Sequence, residues 1–160
     1  MQPVLDVIAK SYAVKVTYLS CNTLGEFGFN LNLVRRRRMP GVLYLAFHGA
    51  SDCISLPDEN AISLDELADL MDQRFRNWVV HFGSCSTCNV DEDRLKEFRG
   101  QTGIAAVTGY TENIDWIDAA AMDMIVLRWL QEYKDMSAMH RRIEKDYPGL
   151  VKRLGFVSSP

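Results

Sequence analysis

Several things are missing from this 160-residue chain. No uncharged apolar run reaches the roughly 20 residues of a membrane-spanning helix. The nearest stretch, WIDAAAMDMIVLRWL, is broken by Asp118, Asp123 and Arg128. The first residues, MQPVLDVIAKSYAVKV, hold no basic region followed by a long apolar one, so no secretory signal is expected. There is no disulfide framework either. Four cysteines without a signal read as reduced thiols in a cytoplasm. Charge of one sign is not in excess. Eighteen basic against 21 acidic residues leave a net charge of -3, which gives no bulk surface for nucleic acid. Repeats and low-complexity linkers are absent, so residues 1–160 read as one domain. What remains, 48% hydrophobic and 24% charged, is ordinary for a globular chain with one sizeable core.

The pattern that is present alternates strands and helices. VLDVIAKSY has the spacing of a short helix, and AVKVTYLSC is β-rich and reads as a first strand. Residues 22–39 carry two patterns. Phe27, Phe29, Leu31 and Leu33 alternate like a strand, yet Leu24, Phe27, Leu31 and Val34 share a helical face. Thr23 and Glu26 have capping-box spacing. A parallel sheet needs a crossover there, which favours the helix. GVLYLAFHG is a continuous apolar run, as expected of a strand buried on both faces. SLDELADLMDQRF is an amphipathic helix opened by a Ser63–Glu66 capping box. WVVHFGS follows as a strand, then DEDRLKEFRG as a helix closed by Gly100, then GIAAVTGY as a strand. Residues 116–133 form a long, mostly apolar helix. SAMHRRIEKDY is a last surface helix ended before Pro148, and LGFVSS adds an edge strand. The fold class is α/β with a mainly parallel sheet.

In open α/β sheets, sites lie at the carboxyl ends of the strands. His48 and Gly49 end one buried strand, and Cys85 stands just past another. The intervening segment has room for one crossover helix, so the two strands can be parallel neighbours with both residues at one edge. A thiolate attacks better than a thiol, and an imidazole can take its proton. A helix N-terminus after Cys85 would favour the anion. The backbone N–H groups of Gly49 and Cys85 would serve as an oxyanion hole.

An apolar strand ending in His-Gly, then one ending in a small residue and Cys, resembles the caspase-like cysteine peptidases. Among these it is most similar to bacterial CHAT-type and related caspase-like domains. GIAAVTGYTENIDWIDAAAMDMIVLRWLQ strengthens the likeness, with its strand, Trp-bearing loop and Ala-rich helix. It covers about residues 40–133. The resemblance implies a three-layer sandwich with helices on both faces of the sheet. It implies a catalytic pair of His48 and Cys85, Gly49 in the oxyanion hole, and a polypeptide substrate along the 109–116 loop. Tyr110 and Trp116 belong to that segment. No metal or organic cofactor is required, although some relatives use calcium. The likeness leaves open an activating protein partner or a homo-oligomer. This chain departs from many relatives in carrying Ser84, not Asp, before the cysteine. The pocket for the side chain at the cleaved bond is therefore set by other groups. Asp52, Glu112 and Asp115 would favour a basic side chain there, against the plainer reading of loop acids as solvated.

Other readings compete. A lone Cys85 would be a buried thiol, and a lone His48 a structural one. Their pairing is what favours catalysis, and a binding module without turnover stays an alternative. Cys85 and Cys88 spell CxxC after a strand, as in thioredoxin-like proteins, but that fold needs a proline facing the cysteines. The prolines stand at 3, 40, 57, 148 and 160. Zinc held by His81, Cys85 and Cys88 lacks a fourth ligand. Cys88 reads as packing, His140 as a surface residue, and Trp116 as cleft or core in equal measure. The 35–38 Arg run reads as a solvated helix end against a partner patch or a processing site.

Overall fold

The apolar runs at 42–45, 79–82 and 106–110 form the centre of the molecule. In the computed structural model, which describes residues 2–160, the chain begins with α1 (Gln2–Tyr12) and α2 (Leu24–Val34). It continues through β1 (Val42–Leu45), β2 (His48–Ala50), β3 (Cys53–Ser55) and β4 (Ala61–Ser63) into α3 (Leu64–Met71). Then come β5 (Val79–Phe82), α4 (Glu92–Thr102), β6 (Ala106–Tyr110), α5 (Trp116–Glu132), α6 (Met136–Asp146), α7 (Pro148–Leu154) and β7 (Phe156–Ser159). One sheet has the order β1-β5-β6-β7, and β2-β3-β4 form a small second sheet. β1, β5 and β6 pair in parallel, and β7 pairs antiparallel to β6.

Side-chain alternation along these strands sorts the core into two clusters. Leu43, Leu45, Val80, Phe82 and Val107 join one, with Phe27 and Leu31 of α2, Leu67 and Met71 of α3, and Leu95 and Phe98 of α4. Tyr110 and Phe156 point the other way and pack with Met122 and Val126 of α5, Met139 and Ile143 of α6, and Leu154 of α7. Each fully buried Leu or Phe contributes about 1.5–3 kcal/mol. The two clusters thus draw on different helices, and the fold is mixed α/β.

Thr23 and Ser63 both cap their helices, but only Ser63 does so in a complete box, since Glu26 turns to Asn22. Thr23 Oγ1 accepts from the Glu26 N–H at 3.3 Å, while Glu26 accepts from the Asn22 N–H at 2.7 Å, and α2 is a helix. Ser63 and Glu66 form a complete capping box on α3. Five expectations need correction. Residues 14–21 follow a turn at Ala13, whose φ is 53°, and join no sheet. Val14 and Val16 are half-buried while Lys15 and Thr17 are exposed, so the alternation is real without a ladder partner. The run 41–49 is two strands, not one. The chain leaves the main sheet at Ala46–Phe47 and enters the small one at His48. α4 runs through Gly100 and closes at Gly103, which holds the left-handed φ of 73° that favours glycine. A helix, α7, fills 148–154 with Pro148 at its first position, where a missing N–H costs nothing. His140 is half-buried, stacked on Phe156 with ring centroids 5.6 Å apart.

Candidate active site

β1 and β5 are parallel neighbours in register, with Leu45 opposite Phe82. Three residues beyond each lie His48 and Cys85, at the same carboxyl edge of the sheet. His48 opens the β2–β3 hairpin and is exposed, and Cys85 is half-buried. The hairpin is seated directly on the cysteine loop. A Cβ on Gly49 would collide with Thr87 Oγ1 and come within 2.6 Å of the Cys85 carbonyl oxygen. Thr87 Oγ1 donates to the Cys53 carbonyl at 3.0 Å, and the Asp52 N–H donates to the Thr87 carbonyl at 3.3 Å. Ser51 Oγ donates to the Asn89 carbonyl at 2.6 Å. Only glycine lets the two backbones approach this closely.

The hairpin register also orients Gly49. Ala50 pairs with Cys53 across a two-residue turn, so Ala50–Cys53 and His48–Ser55 are the hydrogen-bonded pairs. Gly49–Ile54 is the non-bonded pair, and the Gly49 N–H is directed away from β3.

On the other side, the loop after β6 runs beside the cysteine. The Ser86 N–H donates to the Glu112 carbonyl at 3.0 Å, and the Cys88 N–H to the Tyr110 carbonyl at 3.1 Å. Ser86 Oγ donates to Asn113 Oδ1 at 3.1 Å. These bonds carry 86–88 alongside the end of β6, and Ser86 takes a left-handed φ of 52°. The expected helix start directly after Cys85 is therefore replaced by a turn, and α4 begins seven residues later at Glu92. Trp116, at the start of α5, is 68% exposed, so it is not core.

The other expected substrate contacts separate. Ser84 is buried and bonds Thr87 Oγ1 at 2.7 Å, so it braces the loop from inside. Tyr110 is wholly buried. It faces α5, because alternation along β6 turns it from the edge into the second cluster. The Asp52 carboxylate is held by Arg94, whose Nε lies 2.9 Å away and whose Nη1 also bonds Asp65 at 2.7 Å. Asp115 caps α5, accepting from the N–H groups of Ile117 and Asp118 at 2.9 and 3.3 Å. Glu112 is exposed, with its side chain beside Gly155.

Cys88 is a packing residue. It is 1% exposed, and burial pushes its thiol up to about 12, only partly offset by a bond with the Tyr110 backbone. The zinc set does not assemble, because both ring nitrogens of His81 are taken. Nδ1 lies 2.8 Å from Thr108 Oγ1, and Nε2 lies 2.7 Å from Asp123 Oδ1. Among the described residues, no three His, Cys, Asp or Glu side chains are grouped to hold a metal. No helix there is long and apolar enough to cross a membrane.

Sequence reasoning missed the centre of this second arrangement. Tyr44 donates to Asp123 Oδ2 at 2.7 Å and Tyr110 to Oδ1 at 2.5 Å, so Asp123 ties β1, β5 and β6 to α5. The Tyr44 hydroxyl also fills the space under Gly83, where a Cβ would strike it. Burial alone would raise the Asp123 carboxyl, but its bonds from His81, Tyr110 and Tyr44 outweigh that and hold it below its ordinary value. Burial and the Asp123 charge push both phenols up. A signal was available: one polar residue inside each of two apolar runs, His81 and Asp123.

The molecule is thus an α/β protein with an imidazole and a thiol at one sheet edge. The chain belongs to a family of unknown function, DUF6642, whose model matches residues 1–158. No curated protein matches it.

Proposed function

We propose that the protein is a caspase-like cysteine endopeptidase, a three-layer sandwich in one domain, acting on polypeptides in the cytoplasm. Cys85 is the nucleophile and His48 its general base and acid. The observation that carries this reading is the seating of the His48–Gly49 hairpin on the Cys85 loop. In the reaction, His48 takes the Cys85 proton as sulfur bonds to the scissile carbonyl carbon. The Gly49 and Cys85 N–H groups hold the oxyanion. His48 then protonates the departing amine, leaving a thioester on Cys85. Water, deprotonated by His48, attacks that thioester and releases the acid and the thiol. The substrate lies along residues 111–116, with exposed Trp116 at its side. Asp52 and Asp115 are already engaged, so a preference for Arg or Lys at the cleaved position rests on Glu112.

The test is a peptide library together with a peptidyl acyloxymethyl ketone, read by mass spectrometry. Cleavage after Arg or Lys and labelling of Cys85 are expected. Cys85→Ser and His48→Ala should each slow turnover by about 10³-fold or more. Equal labelling of Cys88, or a stable Cys85–Cys88 disulfide of thioredoxin-like potential, would favour redox chemistry and overturn the proposal. Labelling of neither, with no peptide cleaved, would leave a binding module. Preference for Asp at the cleaved position would remove the role of Glu112 alone.

A further inference from the structure

Away from Cys85, the outer edge of the main sheet lies open. β1 is the end strand of that sheet. The Gly41 and Leu45 carbonyls accept from the Val79 and Gly83 N–H groups of the neighbouring strand segment, both at 3.0 Å. Backbone groups of successive residues point to opposite sides of a strand. Those of Val42, Tyr44 and Ala46 are therefore directed outward, where no strand pairs among the described residues. These residues line a cavity of about 1320 Å³ that residues 14–19 also line. That exceeds the roughly 300–1,000 Å³ of small-molecule sites.

The charge around it has one sign. Lys15, Arg37 and Lys134 reach the cavity and no Asp or Glu lines it, in a chain whose net charge is -3. Among the described residues none of the three pairs with a carboxylate, and Arg37 Nη2 donates to Thr17 Oγ1 at 3.2 Å. Leu19 and Met39 stand exposed at the rim.

We propose that this groove binds an extended segment of another protein, apolar at alternate residues and acidic at its ends, which adds to β1 as an outer strand. An acyl chain would match the apolar walls but not the outward N–H and C=O groups of β1. A peptide backbone matches both. Carboxylates at the segment ends meet the three cations. The site is separate from Cys85, and its test does not depend on peptidase activity.

The probe is a fluorescein-labelled heptapeptide, acetyl-Glu-Val-Thr-Val-Thr-Val-Glu-amide, followed by anisotropy and by amide exchange on the full chain. Saturable binding is expected, with slowed exchange at Val42, Tyr44 and Ala46. The exposed pair Lys15→Glu and Arg37→Glu should together weaken binding about tenfold and transfer preference to a Lys-ended peptide. Four results would overturn the proposal: no binding at millimolar peptide, binding indifferent to end charge, displacement by dodecanoate, or a self-dimer protecting the same amides. Slow exchange at Tyr44 and Ala46 in the free protein would do so as well, since segment 14–19 would then close the edge itself.

Discussion

His48 and Cys85 occupy the rim of the sheet, while His81, four residues before Cys85, and Cys88, three residues after it, lie inside. The outer histidine is exposed and the outer cysteine half-buried. The inner histidine has both ring nitrogens bonded, and the inner thiol is raised by burial to about 12. The same residue types thus differ in access: one histidine and one cysteine face the rim, and the other two are packed inside. Distance past the strand end does not set burial: Ser84, Thr87 and Cys88 are buried beyond Phe82, while Cys85 and Ser86 between them are half-buried. The rim is held in place by the interior. The Asp123 network packs Tyr44 under Gly83, and Gly83 leads into the cysteine loop.

Breaking the interior should have the largest effect on stability. Asp123→Ala leaves His81 Nε2 and two tyrosine hydroxyls without their acceptor. Loss of one member of a buried pair costs about 3–5 kcal/mol, to be measured by urea unfolding at pH 7. Asp123→Asn is milder and carries a pH signature. The folded carboxyl lies below its ordinary value. Its stabilisation is therefore present above the unfolded pKa of about 3.9 and is lost as pH falls through the lower folded value. Wild type should lose more stability than Asp123→Asn between about pH 5 and pH 2. Equal slopes would remove Asp123 from the pH dependence.

A change at the seam between rim and interior should act mainly on Cys85. Gly49→Ala places a methyl against Thr87 Oγ1 and the Cys85 carbonyl. Overpacking of this kind costs about 1–3 kcal/mol. Electrophile labelling of Cys85 should fall by at least about tenfold while the helical circular dichroism stays. Full labelling at an unchanged rate would mean that the hairpin does not shape the site. The smallest effect belongs to Cys88→Ala, which trims one buried sulfur. Labelling of Cys85 should stay within about twofold of wild type, since a thiol raised to about 12 is protonated at neutral pH and takes no part.

Local rules were legible where partner and signal lie within one turn. The Ser63–Glu66 box and the Thr23 cap are four-residue events, and both form. The strand positions of Val80, Phe82 and Val107 were legible because continuous burial needs continuous apolar residues. Gly100 was misread as a terminator because composition does not state φ. A Cβ there would meet nothing within 4 Å, so the helix passes through, and Gly103 supplies the left-handed turn. The break at Ala46–Phe47 was hidden because an apolar run does not record which sheet it joins. Segment 14–21 has a strand's alternation, but pairing depends on an edge formed elsewhere.

At the candidate site, sequence order alone determined the pairing of interest: a His-Gly and a Cys, each just past an apolar run, separated by one helical crossover. Parallel register puts the ends of β1 and β5 at one edge, and the close approach of Gly49 to the Cys85 carbonyl brings the two segments together. Tertiary structure alone decided which polar groups remain available there. Asp52 went to Arg94, Asp115 to the amides of α5, Tyr110 to Asp123 and Ser84 to Thr87, leaving Glu112 and Trp116 outside. The physical reason is that a polar group is satisfied by whatever partner the packing brings within about 3 Å, and those partners lie up to tens of residues away in the chain.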